Sequence, residues 1–331
     1  MSTEQTDRMN RFQSYRRLVT EFESVLSTFE SSDRKFQIVK TIYPRLDRSS
    51  SLPHAVIEDH APLEPNSADS PKTLIILDSS FNPPSNAHQN LALRSLSKSY
   101  ISRFTGPHRL LLLFAVLNAD KGGSSPAAFP QRLTMMSLFA QDLLQTMLND
   151  RASSEAEQNF EEYSPVPIDI GITKVPYYTD KSIAIASTRS QLDGNLIYPD
   201  FPKHMHLLGF DTLIRFFNPK YYPSFDPPLS ALKDFFEPGH RLRATMRPDD
   251  ASDQVAEQRS WLNRLEQGQM EVDGGKREWS NQIELVEPNQ QQGVSSTKIR
   301  KAAAEGNWQT VKGLCPEVIA SWIRDQELYK D

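Results

Sequence analysis

Apolar positions along this chain change period several times, and each change predicts an element. Residues 11–29 set Phe12, Tyr15, Leu18, Val19, Phe22 and Val25 at helical spacing among charged side chains, so an amphipathic helix is expected. Residues 36–43 are β-branched and predict an extended segment, after which 48–68, rich in Ser, Pro and acidic residues, reads as a linker. Residues 74–77 and 110–117 are unbroken apolar runs, the pattern of strands buried on both faces. Between them Ala92, Leu93, Leu96, Tyr100 and Phe104 share one helical face, which puts His88 in the first turn of a helix.

Further along, a long amphipathic helix is expected over 129–147 and strands over 168–173 and 204–208. Strand and helix in alternation specify right-handed crossovers and a parallel sheet: an α/β, doubly wound fold whose ligands sit beyond the carboxyl ends of the strands. Residues 241–247 alternate in strict two-residue period, predicting a more exposed strand near a sheet edge. Residues 249–281 form a charged insert in which Trp261, Leu262 and Leu265 suit a short helix. A last strand is expected over 283–286, and a helix over 297–306 begun by the capping residues Ser295 and Ser296. The chain thus divides into an N-terminal helical extension and linker, 1–70, that looks like an appendage to the core, its helix expected to pack on that core rather than on a partner, and an α/β domain over 71–331. No repeat of solenoid period interrupts this order.

Composition narrows the chemistry. The 331 residues are 38% hydrophobic and 24% charged, ordinary for a globular protein, and the formal net charge is −5. That balance argues against broad binding to nucleic acid or to an anionic membrane, so any phosphate site must be local. Cys315 is the one cysteine, which rules out an intrachain disulfide. The N-terminus lacks the order of a secretory signal and the longest apolar run is too short to span a bilayer, so a cytoplasmic or nuclear protein is expected.

The chemistry gathers where the first apolar run ends. Ser79, Ser80, Phe81, Asn82, Pro83 and Pro84 forbid the strand from continuing, and the helix starting near Ser85 and His88 offers unpaired N–H groups and a positive dipole end to an anion. Ser80-Phe81-Asn82-Pro83-Pro84, followed by Ser85 and His88, resembles the nucleotide-binding loop of the adenylyl- and cytidylyltransferases. Val294-Ser295-Ser296-Thr297-Lys298-Ile299-Arg300 resembles the second signature of that superfamily, in the form carried by nicotinamide mononucleotide adenylyltransferases. The similarity continues through Lys301-Ala302 and Leu314-Cys315-Pro316-Glu317-Val318 to Glu327-Leu328-Tyr329, so it spans about residues 72–330.

The resemblance, to a divergent fungal-type member, implies a Rossmann-like nucleotidyltransferase fold over 71–331. It implies an enzyme that joins ATP, carried with Mg²⁺, to nicotinamide mononucleotide, giving NAD and pyrophosphate. Such a reaction needs no nucleophile from the protein, since the acceptor's phosphate attacks the α-phosphorus; the protein aligns reactants and absorbs negative charge. The catalytic candidates are His88, Arg300 and Ser85. The ATP site by resemblance takes Ser79, Ser80, Phe81, Asn82 and His88, then Gly209 and Asp211 of a Gly-x-Asp, and Ser295, Ser296, Thr297, Lys298 and Arg300. Lys121 and Arg247 match positions that approach the acceptor.

Two departures stand against the resemblance. Ser79 occupies a position normally held by glycine, and a Trp-Glu element that holds the nicotinamide in relatives is missing, so Tyr177 or Tyr178 would have to stack instead. Other readings stay open: adenylyl or cytidylyl transfer to another acceptor, or a degenerate member that binds or slowly hydrolyses ATP and works through protein partners, using its N-terminal helix and the charged insert. A P-loop is absent, and a Ser295-x-x-Lys298 pair without companion motifs does not make a penicillin-binding enzyme. His204 and His206 lie on one strand face and suit either a core or a metal.

Overall fold

The computed structural model describes residues 3–45, 54–56, 70–116, 127–153, 162–190, 194–247, 253–287 and 295–330. The expected linker, 48–68, lies outside the described residues apart from 54–56. In chain order the elements are α1 Thr3–Ser31, β1 Phe36–Arg45, β2 His54–Val56, β3 Thr73–Asp78, α2 Asn86–Leu96, α3 Lys98–Ile101 and β4 His108–Ala115. Then come α4 Phe129–Ser153, β5 Ile168–Thr173, α5 Tyr178–Ser187, β6 Lys203–Gly209, α6 Phe210–Phe216, α7 Lys233–Phe236 and β7 Arg241–Thr245. The chain closes with α8 Asp253–Glu266, β8 Ile283–Val286, α9 Ser296–Ala304, α10 Trp308–Leu314 and α11 Glu317–Asp325.

The strands form one sheet in the order β2-β1-β5-β4-β3-β6-β7-β8. From β5 to β8 every pairing is parallel. The order reverses between β3 and β6, the switch point at which doubly wound sheets open a crevice beyond their strand ends. Alternation explains why the central strands are apolar throughout. Ile75, Leu77, Leu110, Leu112 and Phe114 join the core under α1, α2, α4 and α9–α11. Their neighbours Leu74, Ile76, Leu111 and Leu113 face a separate core with Ala184 and Ile185 of α5.

Two expectations are corrected. The helix expected through Phe104 ends at Leu96, because Ser97 turns extended (φ −62°, ψ 140°) and bridges Tyr163. The backbone there is intercepted by residues 162–164: Lys98 N–H donates to Glu162 and Ser164 N–H to Leu96. The strand over 241–247 does lie near the edge, beside the edge strand β8, but it is not exposed: β7 is paired on both sides and Arg243 is buried, its guanidinium 3.7 Å from the Tyr100 ring centroid. Its alternation marks a face on which cations stack on aromatics, not a wet face. The N-terminal extension packs on the core. β1 pairs antiparallel with β5, while Tyr15, Leu18, Phe22, Leu26 and Phe29 of α1 lie buried in the same core as α4.

Gly171 shows how close β1 lies: a Cβ there would come within 2.7 Å of the Phe36 ring and 2.9 Å of Leu111. The charged insert also folds inward, with Trp261, Leu265 and Trp279 buried beside Phe217 and Phe236 in a third cluster. His204 and His206 belong to the core: the His204 ring stacks on His240 at 4.1 Å, and His206 Nε2 meets Ser182 Oγ at 2.9 Å. Among the described residues no group of three or more His, Cys, Asp or Glu is placed to hold a metal ion. No helix among them is long and apolar enough to cross a membrane.

Because Phe29 is fully buried, Phe29→Ala is expected to destabilise the protein by about 3–5 kcal/mol in denaturant unfolding. A detachable helix would give a loss under about 1 kcal/mol. Burial also holds His204 and His206 well below the usual imidazole range, and His240 down at about 4. These rings are neutral when folded and take up protons on unfolding. Stability is therefore full above the unfolded pKa, roughly 6.5, and lost as the pH falls towards the folded values. Thermal melts are expected to show a steady Tm up to pH 7–8 and a falling one from about pH 6.5 to 4; a flat profile across that window would contradict the assignment.

Candidate active site

The candidate site is built on the turn that β3 is forced to make at the switch point. Phe81 sits there in the left-handed region (φ 42°), unfavourable for an aromatic residue, with its ring wholly buried against His88 (5.2 Å) and Phe139 (6.3 Å). Burial of that ring holds the turn in a conformation the backbone alone would not choose. Ser85 is the N-cap of α2 and His88 its third helical residue. Ser85 N–H donates to His88 Nδ1 (3.0 Å), and Ser85 Oγ lies 2.9 Å from the same nitrogen. An Nδ1 that accepts carries no proton, so the ring is the Nε2–H tautomer, and Nε2 faces Ser79 Oγ at 2.8 Å. Burial lowers the His88 pKa to about 4.

The second motif docks on the same turn. Ser295 caps α9 by accepting from Lys298 N–H at 3.2 Å. Ser296 Oγ donates to the carbonyl of Pro83 at 2.8 Å, and Arg300 Nη1 donates to the carbonyl of Asn82 at 2.7 Å. Arg300 Nη2 also donates to Thr297 Oγ1 at 3.2 Å. Residues 81 and 82 thus hold His88 from one side and Arg300 from the other, and the helix starts of α2 and α9 share one rim. Ser295, Thr297 and Lys298 are exposed on it. Ser79 and Ser80 lie at its base, partly covered.

Gly209 and Asp211 stand across the switch point, at the end of β6 and in the first turn of α6. A Cβ on Gly209 would meet nothing within 4 Å, so no packing in the chain requires a glycine there. Asp211 Oδ2 accepts from Arg247 Nε at 2.8 Å and also from Nη2, which joins two residues expected on opposite halves of the site. Lys121 lies outside the described residues. Tyr177 and Tyr178 part company: Tyr177 is 40% exposed, its ring 6.2 Å from Tyr221 and 6.5 Å from Tyr222. Tyr178 turns inward against His206 (5.2 Å) and Phe216 (6.1 Å), so it is not the stacking ring that was expected. As the first residue of α5, it falls on the face that the helix buries.

Sequence reasoning missed several neighbours. Asp78, the last residue of β3, forms a buried ion pair with Lys181 of α5, whose ammonium lies 5.1 Å from the Tyr178 ring. No periodic pattern pointed to it, since the buried residues of α5 mix Thr179, Lys181 and Ser182 with Ala184 and Ile185. Tyr221 and Tyr222 follow α6 too far from Tyr177 in sequence to be joined to it by pattern. Arg132 in the first turns of α4 is buried and donates through Nε to Ala127 O at 2.7 Å. His88 is expected to keep its Nε2–H tautomer and neutral charge from pH 8 to 5 and to titrate near 4, as read by ¹⁵N NMR of the side chain. A midpoint near 6.5 would contradict the geometry.

Comparison with known proteins bears on this geometry. A protein of Schizosaccharomyces pombe named "Putative nicotinamide mononucleotide adenylyltransferase" is 28% identical over 263 residues, covering 79% of this chain and 88% of its own length. Two solved structures of the Plasmodium falciparum nicotinic acid mononucleotide adenylyltransferase are also similar. The one complexed with NaAD is 15% identical with a TM-score of 0.41, covering 78% of this chain and 97% of that one. The one complexed with APC is 14% identical with a TM-score of 0.39 over the same shares. No family model matches the chain.

Proposed function

We propose that this chain, a divergent relative of the nicotinamide mononucleotide adenylyltransferases, transfers the adenylyl group of ATP to nicotinamide mononucleotide or its nicotinic acid form. The observation that carries the reading is the shared rim: Arg300 and Ser296 donate to the carbonyls of Asn82 and Pro83 in the very turn that positions His88. Two helix N-termini, a neutral imidazole and a guanidinium thereby converge where a polyphosphate would lie.

In the reaction a phosphate oxygen of the mononucleotide forms a bond to the α-phosphorus of ATP. The bond from that phosphorus to the bridging oxygen breaks, and the electron pair leaves with pyrophosphate. The protein supplies donors for the growing negative charge. His88 suits this as a neutral N–H donor, because its depressed pKa keeps it from switching charge near pH 7. Arg300 supplies a fixed cation, and the exposed hydroxyls of Ser295 and Thr297 and the Lys298 ammonium supply further donors. ATP enters as its Mg²⁺ complex, with the ion on the phosphate oxygens. On the acceptor side the exposed Tyr177 ring, flanked by Tyr221 and Tyr222, offers a surface for a flat heterocycle in place of the missing Trp-Glu element.

Purified protein given ATP, Mg²⁺ and either mononucleotide is expected to release pyrophosphate and the corresponding dinucleotide, separated by chromatography. His88→Ala should cut the rate by about a hundredfold or more, the usual cost of a lost transition-state donor. Tyr177→Ala should raise KM for the mononucleotide while leaving that for ATP unchanged. Tight ATP binding without dinucleotide from either acceptor would sink this reading.

A further inference from the structure

The short tail beyond α11 closes onto the turn that follows β3. Tyr329 Oη donates to Asn82 Oδ1 at 2.8 Å, from a position 247 residues later in the chain. Asn82 Oδ1 also accepts from Ala127 N–H at 3.2 Å, just before α4, and the Asn82 carbonyl accepts from Arg300. One residue of the turn, 4% exposed, is therefore bonded to the entry of α4, to α9 and to the tail. A second observation points the same way. Glu327 (φ 50°) and Tyr329 (φ 66°) both hold left-handed backbone, costly for residues with side chains and kept only where surroundings over-determine it. What holds them is the packing of Leu328 and Tyr329 on the main core, the Leu328 N–H bond to Ile323, and the bond to Asn82.

We propose that Tyr329 is a positioning residue for the candidate site: the tail orients Asn82, and Asn82 in turn fixes where Arg300 stands relative to His88. The inference deepens the adenylyl-transfer reading and rests on it for its consequence in catalysis, though the clasp itself is testable without it. Burial raises the Tyr329 pKa, so its hydroxyl keeps the proton it donates throughout the working pH range. Removing that hydroxyl leaves Asn82 Oδ1 with one donor, and the turn then loses its link to the chain's end. A hydrogen bond of ordinary net strength corresponds to about a five- to tenfold change in a local opening equilibrium.

The test compares Tyr329→Phe, Asn82→Ala and the double variant in the full chain. Amide hydrogen exchange by mass spectrometry is expected to quicken about five- to tenfold in 79–88 and 295–300 for Tyr329→Phe, with β4 and α4 unchanged. In the transfer assay kcat should fall about tenfold with the mononucleotide KM unmoved, as for misaligned reactants. Tyr329→Phe should have no further effect in the Asn82→Ala background, the mark of residues acting through one contact. Unchanged exchange in 79–88, a general rise that includes β4, or additive losses in the double variant would each overturn the proposal. Should the wild-type protein form no dinucleotide, the functional reading fails, while the exchange pattern still decides the clasp.

Discussion

Everything in the site depends on carbonyls of one short turn accepting hydrogen bonds from far down the chain. The stretch from Ser79 to Pro84 has no helix or ladder of its own, and two prolines deny it backbone donors. Its carbonyls would be unsatisfied without outside partners. Arg300 and Ser296 meet those of Asn82 and Pro83, while Phe81 anchors the turn from below. The turn is thus held only when the last third of the chain has folded against the first. That constraint joins fold to function, because the same bonds that satisfy the turn set α2 and α9 side by side.

Electrostatics follow from that arrangement. A chain with net charge −5 has no general attraction for phosphate, so the positive field must be made locally. Here it comes from aligned peptide dipoles and from a few cations: Arg300 at the rim and Arg132, buried behind it with no hydrogen-bond partner for Nη1. His88 contributes direction without charge. Burial has removed its proton affinity, leaving an N–H whose orientation Ser85 sets through Nδ1. On the far side of the switch point Asp211 and Arg247 neutralise one another, so the potential is concentrated on one rim.

Much of this was legible in the sequence where a local pattern carried it. The apolar runs at 74–77 and 110–115 lie at the centre of the sheet because only a strand covered on both faces tolerates no polar position. The change of hydrophobic period marked the start of α2, and capping residues that of α9, because the chemistry of each is confined to a few neighbouring residues. What failed was long-range. Period-two alternation in 241–247 is the same whether the outer face meets water or, as at Arg243, an aromatic ring; only the partner strand distinguishes the two. The placement of β1 beside β5, the inward turn of Tyr178 and the Asp78–Lys181 pair all depend on segments distant in sequence, to which a local window is blind.

Ser79 shows how a side chain at this turn can leave the character of the site unchanged. It takes up space beside the imidazole, and its Oγ stands at His88 Nε2. A hydroxyl that accepts Nε2–H still has its own proton to give, so the surface presented to an anion remains a donor surface. The charge of the histidine is unaffected, since Nδ1 stays engaged by Ser85 whatever Ser79 does. Polarity, tautomer and net charge at this point are therefore those of an imidazole facing the site directly, displaced by the reach of one hydroxyl. The exposed Tyr177 ring beside Tyr221 and Tyr222 is different in kind: it presents aromatic faces, which suit flat apolar groups rather than anions.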